Sequence, residues 1–315
     1  MTDICWVTHP RHLPKPPGGR VVVVDVAFAS GKQFEKKTKK LIDGLDDRLL
    51  MWIDHHEHKT AWEQYKHDPR FLLVSNRIAH ACPELITTEL VQKTESHHGH
   101  VDTIMAHCDF DGAIAAVKWM MGGEEPWPGA DEDARFVDSP GRGHTISKTG
   151  LRIARAMGQA AQSYSRSMRI DFMTRAAMAI VRQEESLELG DEIDTLSRRS
   201  EEEENRAKAY ALEYGKEEGR GIYVIRALEP LDNHMRRNLL IEAEERATLG
   251  VIHEPDKEGG AWLTVATFSE KIDLSEVEFL DGGRTDYRYA RAHKGGHKQI
   301  EELDAFLQKH DTHME

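Results

Sequence analysis

The sequence predicts an α/β protein: a doubly wound, mainly parallel sheet domain, a helical connector and a smaller α/β C-terminal domain. Three observations carry this prediction. Short apolar runs at 21–24, 49–53, 103–106 and 134–137 each end abruptly in a carboxylate or an imidazole. Helix-like stretches separate the first three, the βαβ pattern of a sheet buried on both faces. Between Ser147 and Lys216 the strand runs stop and apolar residues take helical spacing (Leu151, Ile153, Ala154, Met157, Ala160), before strand signals resume at Gly221. At 315 residues more than one core is expected, with boundaries at 1–146, 147–216 and 217–315.

Taken in order, PRHLPKPPGGR (10–20) is a Pro/Gly-rich lead-in. Its Gly18-Gly19 lacks the G-K-[ST] ending of a phosphate loop and reads as a turn. Four valines then run into Asp25. KQFEKKTKKLIDGLDD (32–47) reads as a crossover helix and LLMWID (49–54) as the next strand, followed by His55-His56. A polar helix near 60–67, FLLV at 71–74 and a helix after Pro83 come next. The three histidines of Ser96-His97-His98-Gly99-His100 suit a solvated turn at the amino end of the following strand. That strand, TIMA (103–106), exits as His107-Cys108-Asp109-Phe110-Asp111-Gly112, and a helix runs on to Gly122-Gly123. ARFV (134–137) reads as a fourth strand ending in Asp138. In the last domain GIYVIRAL, LGVIHE, AWLTVATF and EVEFL carry strand signals, and NHMRRNLLIEAEERA and QIEELDAFLQKH carry helix signals.

Composition narrows the function. The net charge of −13 makes the chain a poor grip on duplex DNA, whose binding rests on phosphate neutralisation, so stable duplex binding is not expected. An anionic substrate must be held locally, by metals or a basic cluster. No apolar run approaches the ~18 residues of a membrane span. The N-terminal residues lack the apolar middle of a secretory signal, and Cys5, Cys82 and Cys108 form no paired framework. A cytoplasmic location is therefore expected.

The strand exits hold Asp25, Asp54-His55-His56, His107, Asp109, Asp111 and Asp138. Aspartate is common at strand ends because it turns and caps. Capping accounts for one or two of these, Asp138 before Ser-Pro among them. It accounts poorly for histidines beside carboxylates at two separate exits. On parallel strands all these groups meet along one edge, where unneutralised carboxylates would repel at large cost. Two divalent metals remove that cost, and paired metals ~3.5–4 Å apart are the usual device for cleaving phosphoesters. Oxygen and imidazole ligands without thiolate suit Mn(II), two per site, with Mg(II) as the alternative.

These residues resemble the DHH phosphoesterases, which include RecJ exonucleases, nanoRNases, cyclic-dinucleotide phosphodiesterases and family II pyrophosphatases. Asp54-His55-His56 matches the name-giving motif. His107-x-Asp109-x-Asp111-Gly112 resembles H-x-D-x-D-G, and Asp25 after the valines looks like the second motif. The family places H-x-D-x-D first, so here the motif order looks circularly permuted. The resemblance implies that Asp25 bridges the metals. His107 and Asp109 would then hold one ion, and Asp111, His55 and Asp138 the other. His56 would face the scissile phosphate, with Asp54 orienting a neighbouring imidazole. Asp138 takes the fourth motif, with Asp102 and Asp68 as other choices and His144 near enough to contribute. The family's C-terminal DHH-associated domain implies a substrate clamp from Arg284, Arg288, Arg291 and Gly295-Gly296-His297.

The expected function is metal-dependent hydrolysis of phosphodiester bonds in short nucleotide substrates, by a hydroxide that the two metals activate. Short RNA or DNA oligomers and linear or cyclic dinucleotides are the candidates, bound in a cleft between the two α/β domains. One alternative is a phosphomonoesterase or pyrophosphatase acting on a nucleoside bisphosphate or pyrophosphate. The other is an inactive nucleotide-binding sensor or scaffold. The long helical segment is compatible with a homodimer.

Overall fold

Five strands build the first sheet of this computed structural model, which describes residues 2–58, 61–141, 143–256, 259–269, 271–280, 288–293 and 296–311. They are β1 (Asp3–Val7), β2 (Val21–Val24), β3 (Leu49–Asp54), β4 (Phe71–Leu73) and β5 (Thr103–His107). All pair in parallel, in the order β1-β5-β2-β3-β4. The four valines of central β2 are fully buried. Each such burial contributes about 1.5–3 kcal/mol, which settles the strand's central place. Val22, Val24, Ile104 and Ala106 join one core, while Val21, Val23 and Met105 join another. That alternation is the period of two that a strand imposes.

Helices cover both faces, which is the doubly wound arrangement expected. One face takes Phe34, Leu41, Ile42 and Leu45 from a π-helical turn (Phe34–Lys39) that continues into α1 (Lys40–Leu45). The short α2 (Trp62–Tyr65) follows, then α3 (Thr88–His98), whose last turn holds His97 and His98 before Gly99. The other face takes α4 (Phe110–Met120), buried along most of its length, with α5 (Ala130–Asp138), α6 (Lys148–Ser163) and α7 (Arg166–Arg182).

The chain divides into two compact units, Met1–Ser139 with His144–Ser200, and Pro140–Gly143 with Glu201–Glu315. The expected connector is helical, and α6, α7 and the start of α8 (Leu187–Tyr214) contribute Met157, Phe172, Met173, Ile193 and Leu196 to the first unit's core. Further along α8, Ala207 and Ala211 join a core of the second unit. The second sheet holds β6 (Gly215–Glu217), β7 (Ile222–Arg226), β8 (Leu249–Pro255), β9 (Ala261–Ala266) and β10 (Tyr289–His293) in reverse order. Only the β7–β8 pair is parallel among its described pairs. Two helices complete the unit, α9 (Asn233–Glu244) and α10 (His297–Asp311).

Two expected strands are corrected. ARFV (134–137) belongs to α5, not to a fourth strand. Gly129 starts that helix with φ +86, and Asp131, Glu132 and Asp133 fill its first turn, where the helix dipole favours acids. EVEFL (276–280) is turn, not strand: Leu274, Val277 and Leu280 recur every third residue and point together into the core. β1, a short edge strand, was not expected from the sequence, although four of its five residues, Ile4 to Val7, are apolar. Among the described residues, no helix is long and apolar enough to cross a membrane.

Candidate metal centre

The parallel register sets the site. Val24 of β2 aligns with Ile53 of β3 and with Ala106 of β5. One residue further on, Asp25, Asp54 and His107 therefore lie side by side on strands spaced about 4.8 Å apart. The connections also reverse direction here, because β3 and β4 add on one side of β2 and β5 on the other. Open α/β sheets bind ligands in the crevice at such a point. Asp25 turns out of β2 with φ +57, a left-handed conformation that costs a non-glycine residue on the order of 1–3 kcal/mol. Its amide donates to the Ile53 carbonyl at 2.9 Å.

His55 Nε2 lies 3.3 Å from Asp25 Oδ1, 3.2 Å from Asp111 Oδ2 and 3.6 Å from Asp138 Oδ2. Its Nδ1–H donates to the Ala79 carbonyl at 3.0 Å, so Nε2 is the ring nitrogen that faces the carboxylates. His56 Nδ1–H donates to Asp54 Oδ1 at 2.9 Å and lies 3.6 Å from Asp25 Oδ1. His107 Nδ1 is 2.6 Å from Asp109 Oδ2 and 3.7 Å from Asp25 Oδ2. Asp109 caps α4 by accepting the Gly112 amide at 3.1 Å, and the Cys82 amide donates to Asp111 Oδ2 at 3.2 Å. A Cβ on Gly112 would stand 2.4 Å from the His107 carbonyl oxygen, so this turn requires glycine.

Within the cluster the charged groups shift one another's proton affinity. Burial pushes Asp25 up, but the neighbouring imidazoles of His107, His55 and His56 take it well below the carboxylate range. Burial and the Asp25 charge push Asp111 far above that range. Burial lowers the imidazoles, yet Asp54 holds His56 up at about 9, and Asp109 with Asp25 holds His107 at about 11. His55 is raised as well, against burial, by Asp111 and Asp25.

The donor set fits divalent cations. Asp25 Oδ1 and Oδ2, Asp54 Oδ2, His55 Nε2, His107 Nδ1 and Asp111 Oδ1 are buried without a hydrogen-bond partner. Such atoms are costly unless something else satisfies them. Three groups have ligand atoms close enough for one ion each: Asp25-His55-His56, Asp25-His107-Asp109 and His55-Asp111-Asp138. All six residues that the resemblance implies as metal ligands, together with His56, thus meet within one cluster around Asp25. Of the other fourth-motif choices, Asp102 pairs with Arg20 and Asp68 with Arg70, while His144 bonds His80.

Sequence reasoning missed two contributors. Residues 79–82 supply the Ala79 carbonyl and the Cys82 amide, and backbone groups leave no residue-type signal. Arg169 on α7 donates to the Cys108 carbonyl, between His107 and Asp109. A lone cation on a helix gave no reason to select it.

In the second unit, Arg291 pairs with Glu254, and its guanidinium lies 4.3 Å over the Trp262 ring. Arg288 precedes β10, and its charge acts on Glu244. Gly296 donates its amide to Gln299 Oε1 at 2.8 Å at the start of α10. Arg284 and Gly295 lie outside the described residues, as does the side chain of His297.

The class that fold and site define is an α/β protein with a candidate metal centre at the carboxyl edge of a parallel sheet. Its motifs resemble those of the DHH phosphoesterases. No family model matches the chain, and no curated protein does. Among solved structures it is similar to PggH, a pGpG-specific phosphodiesterase from Vibrio cholerae, at 12% identity over 83% of this chain and 79% of that one, with a TM-score of 0.47. It is also similar to an exopolyphosphatase-related protein from Bacteroides fragilis, at 14% identity over 93% of this chain and 71% of that one, with a TM-score of 0.39.

Proposed function

We propose that the first unit holds two divalent cations and hydrolyses phosphodiester bonds in short nucleotide substrates. The observation that carries this reading is the Asp25 carboxylate. Its Oδ1 faces His55 and His56 at 3.3 and 3.6 Å, and its Oδ2 faces His107 at 3.7 Å, so one buried group serves two ligand sets. His107 and Asp109 would hold one ion, Asp111, His55 and Asp138 the other, and Asp25 both. Oxygen and imidazole donors without thiolate favour Mn(II) or Mg(II). When bound, such a pair activates water and stabilises the charge that develops on the phosphoryl oxygens.

The chain's own groups orient the rest. His56, its side chain 37% exposed, is the imidazole available to a substrate phosphate, and Asp54 beneath fixes its direction. The Ala79 carbonyl fixes the His55 tautomer. The amino end of α4 adds partial positive charge beside Asp109 and Asp111, which favours anions there. From the second unit, Arg288, Arg291 and the segment Gly295-Gly296-His297, with Arg284, would bind substrate phosphates through guanidinium forks and backbone amides. A net charge of −13 favours a short oligomer or dinucleotide over long duplex.

His55→Ala, assayed on short oligonucleotides in Mn(II), is expected to abolish turnover, and undiminished turnover would rule the reading out. Pyrophosphate and a nucleoside bisphosphate run alongside separate a diesterase from a phosphomonoesterase or pyrophosphatase.

A further inference from the structure

One of the three ligand groups, His55-Asp111-Asp138, draws its members from three different elements. His55 follows β3, Asp111 stands in the first turn of α4 and Asp138 in the last turn of α5. A single loop, residues 79–82, touches His55, Asp111 and Ser139, the residue after Asp138. The Ala79 carbonyl accepts from His55 Nδ1 at 3.0 Å, and the Cys82 amide donates to Asp111 Oδ2 at 3.2 Å. Between them, the His80 carbonyl accepts from Ser139 Oγ at 2.9 Å, one residue beyond Asp138.

The His80 side chain locks this loop to α5. His80 Nδ1 lies 2.8 Å from His144 Nε2, and His144 Nδ1 lies 3.2 Å from Glu132 Oε1. A carboxylate only accepts, so His144 carries its proton on Nδ1 and takes the His80 Nδ1–H on Nε2. A second path returns to the same loop. Glu132 Oε2 accepts from Arg135 at 3.2 Å, Arg135 reaches Glu84 Oε2 at 2.9 Å, and Glu84 Oε1 accepts the Ala81 amide at 2.8 Å. Polar contacts thus close a ring between the loop and the helix that bears Asp138. The other pair of ligands, His107 and Asp109, receives nothing from this ring.

We propose that the His80–His144–Glu132 chain is a positioning device for one of two cation sites, the one built by His55, Asp111 and Asp138. This rests on the reading that the cluster binds two divalent ions. Groups that orient metal ligands typically change affinity 10–100-fold when removed, because the ligands must then be reordered on binding. The chain acts through the loop and touches no substrate.

The test is equilibrium Mn(II) binding to the full-length protein, with free Mn(II) counted by electron paramagnetic resonance. Wild type is expected to take up two ions. His144→Ala should weaken one site about 10–100-fold and leave the other within twofold. His144→Gln, which keeps a donor and an acceptor, should restore most of the loss. Ser139→Ala, which cuts the direct bond from the end of α5 to the His80 carbonyl, should weaken the same site without disturbing the histidines, and it carries the test if His144→Ala does not fold. Equal weakening of both sites, or of neither, in the folded variants would overturn the proposal while leaving the two-ion reading intact. A wild-type protein that takes up no Mn(II) would end both.

Discussion

Each unit buries a carboxylate on or just past the central strand of its sheet, and the two neutralise it differently. In the second, Glu254 is 1% exposed and pairs with Arg236 at 3.0 Å and with Arg291, while the Leu231 amide takes its other oxygen at 3.1 Å. In the first, Asp25 is equally buried, has no arginine or lysine partner among the described residues, and both of its oxygens lack a hydrogen bond. A buried charge left uncompensated costs several kcal/mol. The second unit meets that cost from its own guanidinium groups. The first meets it with imidazoles whose lone pairs can be turned to a cation. The difference separates a carboxylate that completes a structure from one arranged to receive a ligand.

The sharpest way to break this contrast is to remove each carboxylate in turn. Asp25→Asn should abolish Mn(II) uptake and lower kcat at least ~10³-fold, since the paired metals supply several kcal/mol of the barrier reduction. Mn(II) at a hundred times its Kd should stabilise the wild type by about 2.7 kcal/mol per ion bound and the variant by nothing, read from the melting temperature. Glu254→Ala should do the reverse. It strands Arg236, whose side chain is only 9% exposed, and should cost about 3–5 kcal/mol by urea denaturation while Mn(II) uptake stays at two ions. If both variants lost metal, or both lost only stability, the contrast would fail.

A smaller effect compares two motif glycines. At Gly112 an added Cβ would meet backbone at 2.4 Å, whereas at Gly296 the nearest atom is Gln299 Oε1 at 3.5 Å. Gly112→Ala should cost about 1–3 kcal/mol and weaken Mn(II) binding, because α4 must move off the His107 carbonyl and carry Asp109 with it. Gly296→Ala should melt within about 0.5 kcal/mol of wild type.

The same contrast explains what the sequence made legible. The cluster was readable because its members follow strong apolar runs, and parallel strands of known register must bring such exits together. Asp138 was named on the wrong element: the ARFV run outweighed Gly129 and the acidic first turn at 131–133, which mark a helix start. The loop at 79–82 was not readable, since it acts through a carbonyl and an amide that any residue offers. Nor was the tie between Arg291 and Glu254, which lie 37 positions apart and meet only because β8, β9 and β10 are neighbours. Arg291 stood out as one of a run of cations, and its partner on another strand was invisible.

Glu244, on α9, sharpens the comparison from between the two cases. Burial pushes its carboxyl up to about 8, and the charge of Arg288 only partly opposes the shift. It has neither the close guanidinium pair of Glu254 nor the imidazoles of Asp25, so it holds a proton instead. The folded state keeps that proton to about pH 8, while the unfolded chain releases it near the ordinary 4.5. Across that window the folded state binds more protons than the unfolded one, so stability falls as pH rises, by at most about 1.4 kcal/mol per unit, and levels off above 8. Glu244→Gln, neutral throughout, should remove this part of the slope between pH 5 and 8 in urea titrations. An unchanged slope would mean that Arg288 already compensates the charge, and Glu244 would then belong with Glu254.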